Sequence, residues 1–111
     1  MKIIQYQDIG AADVEMEGAK DVTIRWLIAG DDGAPNFAMR LFEVKQGGQT
    51  PLHSHEGEHE VFLLRGEGTV WKAGKEVPIR TGTAIFVPPF EEHQFRNTGE
   101  EIMAFLCMVP V

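Results

Sequence analysis

Short segments of alternating apolar and polar residues, separated by glycine and proline, constrain the fold of this chain more than any other feature. Apolar side chains occupy every even position from Val22 to Ile28, and only Leu27 interrupts the pattern. Such alternation is typical of a strand with one buried face. The same criteria predict further strands at residues 37–44, 60–65, 69–72, 76–79, 83–87, 94–96 and 102–109.

Strands at this spacing, with almost no helical periodicity, indicate a small all-β sandwich or barrel. Residues 8–20 form the one segment that resembles a helix, and Gly10 and Gly18 interrupt it. A tight turn at Ala73 and Gly74 predicts a hairpin, and Pro78 places its second strand at a sheet edge. The chain has 111 residues, of which 43% are hydrophobic, which suffices for one core. We therefore expect a single domain over residues 1–111.

The strand at 37–44 is apolar on both faces, which a barrel wall alone does not require. Its even positions are apolar except for Arg40, and its odd positions include Phe37, Met39 and Leu41. The sequence predicts that this strand ends at Gly47 and Gly48. A second sheet or a partner subunit would cover the outer face, so we expect a homodimer.

Charge and composition restrict the partners. Ten Lys and Arg against seventeen Asp and Glu give a net charge of −7, which repels nucleic acid and anionic membranes. The apolar runs are far shorter than the roughly 18 residues of a membrane span, and the first residues do not resemble a signal peptide. The single cysteine forbids an intrachain disulfide. We expect a cytoplasmic protein that binds neither nucleic acid nor membranes.

Four histidines carry the clearest chemical signal. His53, His55 and His59 fall within seven residues, and His93 follows later in the chain. Imidazole is the commonest metal ligand in proteins, and residues two apart on a strand share a face. His59 and Glu60 have opposite parity, so only one of them is expected to point inward. A lone His-x-His pair is common on exposed strands without metal, but the wider pattern is more specific.

That wider pattern consists of two segments with glycine or proline at fixed spacings, each of which carries histidine near a loop. The first motif is Gly47-x5-His53-x-His55-x3-His59-x6-Gly66, and the second motif is Gly82-x5-Pro88-x-Phe90-x2-His93-x3-Asn97. Together they resemble the paired signature motifs of the cupin superfamily, which are small jelly-roll β-barrels that often hold a metal. The resemblance implies an all-β cupin barrel with a metal ligated by His53, His55, His59 and His93.

This sequence departs from the family pattern at two positions. The third ligand of the first motif is usually a glutamate separated from the closing glycine by six residues, and here that position is His59. Phe90 stands where the second motif often has glycine, which affects the turn and not the ligands. The four-histidine set and the small size resemble the manganese-binding cupins of thermophilic bacteria. The resemblance therefore implies one manganese ion per chain.

Four neutral ligands would leave the full charge of a divalent ion uncompensated, which favours an anionic ligand and a raised redox potential. In six-coordinate geometry two positions stay open for substrate, whereas tetrahedral zinc would be saturated. Imidazole also accepts Fe, Co, Ni, Cu and Zn, so manganese depends on the resemblance. Glu58, Glu92 and Gln94 are near enough in sequence to orient the imidazoles, with surface solvation as the alternative.

Five further residues are candidates for a pocket beside the metal. Phe42, Phe95 and Phe105 would form an apolar wall or belong to the ordinary core. Arg40 would face solvent, pair with a carboxylate or bind an anionic substrate. Cys107 would be a buried, unreactive thiol that borders the metal if residues 105, 107 and 109 face inward.

Three functions follow from these features. The first is a metal-dependent oxidoreductase of the dioxygenase type that acts on a small apolar or aromatic molecule. The second is an isomerase or lyase in which the metal polarises a carbonyl, although the sequence offers no clear general acid or base for it. The third is a non-enzymic module that binds a metal or a small ligand.

Overall fold

The fold consists almost entirely of antiparallel strands, as the sequence predicts. A computed structural model describes all residues from Met1 to Val111. It contains two short 3-10 helices, Tyr6–Asp8 and Gly30–Asp32. The nine strands are β1 (Ala12–Asp13), β2 (Lys20–Ile28), β3 (Phe37–Gln49), β4 (His59–Arg65), β5 (Glu67–Lys72), β6 (Lys75–Arg80), β7 (Ala84–Val87), β8 (Phe95–Arg96) and β9 (Met103–Pro110).

The strands form one curled sheet in the order β6-β5-β8-β3-β9-β4-β7, with β2 paired to β3 and β1 to β2. The hairpin predicted at Ala73 and Gly74 joins β5 to β6, and β6 with Pro78 ends this sheet path. Residues 8–20, the segment that resembles a helix in sequence, contain β1 and no α-helix. No helix in the structure has the length and hydropathy to cross a bilayer.

Strand β3 is the element that joins the two halves of the sheet. Along residues 37–44 one of its edges pairs with β9, and at Gln49 the same edge pairs with Arg96 of β8. The expectation that this strand ends at Gly47 and Gly48 is wrong, because both lie inside it. Gly47 has a φ of +78°, and a Cβ on Gly48 would lie 2.6 Å from the Lys20 carbonyl oxygen. The two glycines therefore bend the strand without ending it.

The concave face of the sheet holds the core, and its residues come from alternate positions of the strands. The fully buried side chains include Val44, Leu63, Met103 and Phe105. On the convex face of β3, Leu41 is also buried while Phe37 is 54% exposed. The N-terminal segment lies near this face, held by Arg25, which donates to the Tyr6 and Ile9 carbonyls. A homodimer stays a prediction.

The residues that close the two motifs have structural roles. Gly66 has a φ of +88°, and a Cβ there would lie 2.8 Å from the Ile102 carbonyl oxygen. The Asn97 side chain is buried and donates to the Val44 and Glu101 carbonyls, both at 2.8 Å. Its oxygen accepts the Gly99 N–H at 2.9 Å. These residues fix the loops that support the histidine-bearing segments.

Candidate metal centre

The four histidines come from two chain segments that the backbone holds together. His53 and His55 follow β3, His59 opens β4, and His93 precedes β8. His53 and His93 form an isolated antiparallel bridge, in which each N–H donates to the carbonyl of the other at 3.2 and 3.0 Å. This bridge brings the first motif against the second and places their imidazoles side by side.

The imidazole rings form a compact cluster. Ring centroids lie 4.9 Å apart for His53 and His55, 4.8 Å for His53 and His93, and 5.1 Å for His59 and His93. Nitrogens of His53, His55 and His93 all lie within 4.8 Å of one another, a spacing that could hold a metal ion. The His59 ring adjoins this group, and its Nε2 contacts the Nε2 of His55.

Backbone carbonyls orient two of the rings. The Nδ1 of His53 lies 3.0 Å from the Pro51 carbonyl oxygen, and that of His93 lies 2.8 Å from the Glu91 oxygen. A carbonyl only accepts, so in each ring Nδ1 carries the proton and Nε2 keeps its lone pair for a ligand. None of the three side chains considered for this role hydrogen-bonds to a histidine: Gln94 donates to the Thr50 carbonyl, and Glu58 and Glu92 make no such contact.

His59 points into the barrel and Glu60 points out. The His59 side chain is buried, with 7% of the residue exposed. Its Nδ1 lies 2.7 Å from the Cys107 sulfur and 3.1 Å from the Arg40 Nη2. Arg40 in turn donates to the Cys107 sulfur at 3.0 Å. Arg40 and Cys107 are direct cross-strand partners on β3 and β9, so the pairing of these strands places both behind His59.

Burial favours the neutral form of three of the four imidazoles. It is the largest cause that lowers the pKa of His55, His59 and His93. For His59, burial and then the Arg40 charge lower the pKa to about 3. Burial also raises the pKa of the Cys107 thiol, against the opposing effect of Arg40. At neutral pH these histidines are in the form that binds metals.

An apolar cavity of about 230 Å³ adjoins the cluster. His53, His59 and His93 line one part of it. The predicted pocket residues Arg40, Phe42, Phe95, Phe105 and Cys107 also line it, and the Phe42 and Phe105 rings stack with centroids 5.2 Å apart. The remaining wall residues were not predicted from the sequence; they are Val14, Met16, Ile24, Trp26, Thr50 and Pro51.

Two of these residues, Ile24 and Trp26, could have been predicted from the hydrophobic alternation in the sequence. Both occupy even positions of the alternating pattern in β2, and the register pairs them with Phe42 and Arg40 of β3. The alternation predicts an inward face for these residues, but only the pairing of β2 with β3 brings that face to the histidines. Val14 and Met16 lie outside the regular strands and had no comparable signal.

Phe90, which replaces the usual glycine of the second motif, has a φ of +66° and is 69% exposed. Its N–H donates to the His55 carbonyl oxygen at 2.7 Å. The left-handed conformation of Phe90 thus allows a second backbone hydrogen bond between the motifs. It carries a backbone strain that glycine would not have.

Comparison with known proteins identifies the family. Residues 40–109 match the cupin domain family Cupin_2. The chain is a cupin. The solved structure of the polyketide cyclase RemF from Streptomyces resistomycificus superposes on this cupin with a TM-score of 0.93 and 38% identity, over 99% of this chain and 79% of that chain. The jelly-roll fold is thereby confirmed.

Two curated relatives match different shares of this cupin. The oxalate-binding protein of Thermotoga maritima is 39% identical over 74 residues, which are 63% of this chain and 61% of that protein. The 1-methylthio-D-xylulose 5-phosphate methylsulfurylase of Rhodospirillum rubrum is 29% identical over 107 residues, 96% of this chain and 64% of that protein. The cupin thus spans less than two thirds of either relative. The Thermotoga match confirms the resemblance to small cupins of thermophilic bacteria.

Proposed function

We propose that this cupin holds one divalent metal ion at His53, His55, His59 and His93 and uses it on a small aromatic molecule bound in the adjacent cavity. The single observation that carries the proposal is the convergence of four imidazoles at an apolar cavity. Manganese is the metal that the family resemblance favours, while Fe, Co, Ni, Cu and Zn fit the same donors.

The donor set fits a cation in two respects. His53 and His93 each have Nδ1 tied to a carbonyl, so their Nε2 lone pairs are available. The Nε2 atoms of His55 and His59 face each other, and two neutral imidazole nitrogens in that position repel unless a proton or a cation is shared between them. A metal ion would satisfy all four nitrogens, and burial favours the neutral form of His55, His59 and His93.

A non-oxidative ring-forming or isomerising reaction of a carbonyl compound is the chemistry we favour. A divalent metal at this site would supply a Lewis acid for a carbonyl oxygen. Phe42, Phe95 and Phe105 would bind the carbon skeleton and exclude water. The similarity to a polyketide cyclase over 99% of this chain supports this chemistry. Because no Asp or Glu lines the cavity, the substrate would have to be acidic enough to release its proton to solvent water, as a 1,3-dicarbonyl compound is.

A dioxygenase-type oxidation of a small apolar or aromatic substrate is the second candidate. The absence of carboxylates from the cavity wall favours it, because oxidative chemistry needs no strong general base. Four neutral ligands would also leave the charge of the ion uncompensated, which favours redox chemistry and anion binding. A third candidate, a binding module without turnover, is supported by the similarity to an oxalate-binding protein.

Metal reconstitution followed by a paired turnover assay tests the proposal. The chelated protein is loaded separately with Mn, Fe, Co, Ni, Cu and Zn, beside a His93→Ala variant, and bound metal is measured by elemental analysis. We expect about one ion per wild-type chain and a loss in the variant. Retention of the metal by the variant would contradict the site.

The loaded protein is then incubated with aromatic 1,3-dicarbonyl compounds with and without oxygen. Product formed equally in both atmospheres supports the ring-forming or isomerising reaction. Oxygen consumption coupled to product supports the dioxygenase. Binding without turnover in either atmosphere assigns the third function.

A further inference from the structure

Arg40 is the one cationic side chain among the residues that line the cavity, and it has no acidic partner. None of the four ion pairs of the chain includes it, and no Asp or Glu lines the cavity. Arg40 is half-buried, and a cation partly removed from water without a counter-charge is costly, so its retention at an apolar cavity calls for a binding partner.

The guanidinium is held in place but not neutralised. It lies over the rings of Trp26 and Phe42, with its central carbon 5.4 and 5.0 Å from the two ring centroids. Its Nη2 donates to the Cys107 sulfur, which is a weak acceptor. Its Nε is buried without a hydrogen-bond partner, and its Nη1 donates to no group of the chain. Aromatic faces thus fix a planar donor group whose charge stays unmatched.

A purely structural role does not account for these features. The contacts behind His59 involve only the Nη2 nitrogen of Arg40, and a neutral amide could donate to the Cys107 sulfur equally well. The unmatched charge and the unused donors beside the cavity suit the recognition of an anion.

We propose that Arg40 binds the carboxylate of an aromatic small molecule, whose ring lies in the cavity against Phe42 and Phe105. A single guanidinium without a second Lys or Arg matches a planar monoanion better than a phosphate dianion. The cavity of about 230 Å³ is large enough for one aromatic ring, since about 150 Å³ suffices to bind benzene in an engineered cavity. The inference rests on the proposed function only in taking this cavity as the substrate site.

Paired titrations with benzoate and benzamide test the role of the charge, because the two probes share a shape and differ in charge. Binding is measured by calorimetry and by the fluorescence of Trp26 in a Trp71→Phe background, which leaves one tryptophan. Each titration is done on metal-loaded and on chelated protein. We expect benzoate to bind at least about tenfold more tightly than benzamide in both forms, one to two hydrogen-bonded charge contacts being worth that much.

Three variants complete the test. Arg40→Gln is expected to remove the preference for benzoate and to leave benzamide affinity unchanged. Arg40→Lys keeps the charge but not the planar donor group, so part of the preference remains; this variant decides the matter if Arg40→Gln does not fold. Arg80→Gln is the matched control, because Arg80 is exposed and its side chain makes no ion pair.

Equal affinity of the wild type for the two probes would overturn the inference. So would a preference for benzoate that persists in Arg40→Gln and disappears on chelation, because the anion would then bind the metal. Conversely, an Arg40-dependent preference in protein that retains no metal would support the anion site while the metal proposal fails. The two proposals can thus be separated.

Discussion

His53 and His93 hydrogen-bond to each other's backbone in both directions, and their imidazole rings lie 4.8 Å apart. The rings are thus positioned by a main-chain bridge, and each is oriented by a carbonyl two residues earlier in its own segment. The candidate metal centre therefore depends on backbone geometry that most side-chain substitutions leave intact. Variants of single ligands are expected to fold and to report on metal binding alone.

Substitution of His59 is expected to weaken metal binding far more than substitution of Glu60. His59 is buried beside the other imidazoles, whereas the Glu60 side chain points out of the barrel. Removing the His59 ligand should lower metal affinity by at least about 100-fold, more than the loss typical of an outer-shell group. Metal titration of His59→Ala and Glu60→Ala checks this. A larger effect from Glu60→Ala would mean that the inward residue of the first motif is misassigned.

The metal-free protein is expected to lose stability as the pH falls from 7 to 4. The pKa of His59 is about 3 in the folded state and about 6.5 in an unfolded chain, so between these values the unfolded state binds more protons. The stability present above about pH 6.5 is therefore lost progressively as the pH falls towards 3. Denaturant unfolding at several pH values measures this slope, and His59→Gln should flatten it. An unchanged slope in the variant would assign the effect to other groups.

Cys107 is expected to support metal binding through His59. Its sulfur lies 2.7 Å from the His59 Nδ1 and can accept the proton of that nitrogen when Nε2 binds a metal. Cys107→Val, which has no acceptor, should lower metal affinity by about tenfold, and Cys107→Ser should lower it less. Competition titrations with a chromophoric chelator measure both. Equal affinities for the two variants would show that the sulfur only fills space.

Gly66→Ala is expected to destabilise the protein much more than Gly74→Ala. Both glycines have a positive φ, +88° and +83°, so an alanine is strained at either position. Only at Gly66 would the added Cβ also meet backbone, 2.8 Å from the Ile102 carbonyl oxygen, while Gly74 faces open space. We expect the difference in unfolding free energy to be about 2 kcal/mol or more. Similar losses in both variants would mean that the chain near Ile102 can shift.

The sequence predicts those features that depend on local periodicity. The alternation in β2 and the turn at Ala73 and Gly74 are local, so the strands and the hairpin follow from residue order alone. The inward direction of His59 also follows from a period of two along β4. The path of β3 is not predictable in the same way, because two adjacent glycines, Gly47 and Gly48, are equally compatible with a bend within a strand and with the end of a strand.

Features that depend on long-range pairing or on backbone groups escaped the sequence analysis. Trp26 reaches the cavity only because β2 pairs with β3, and that partner is not encoded in the local pattern. The carbonyls of Pro51 and Glu91 orient two imidazoles, yet a backbone oxygen is common to every residue and leaves no sequence signal. The sequence instead points to the side chains of Glu58, Glu92 and Gln94 as groups that could orient the imidazoles, because only side chains distinguish one residue from another.

The unbroken course of β3 has a mechanical consequence for selectivity. Arg40 lies in this strand, and the histidine-bearing segment begins directly after its last residue, Gln49. The strand is paired on both edges at residues 39–44 and again at Gln49, so these pairs fix the spacing between the guanidinium and the imidazoles. A ligand that contacts both Arg40 and the imidazoles must therefore match a fixed length. Molecules that are too long or too short are excluded by this spacing, without a conformational change.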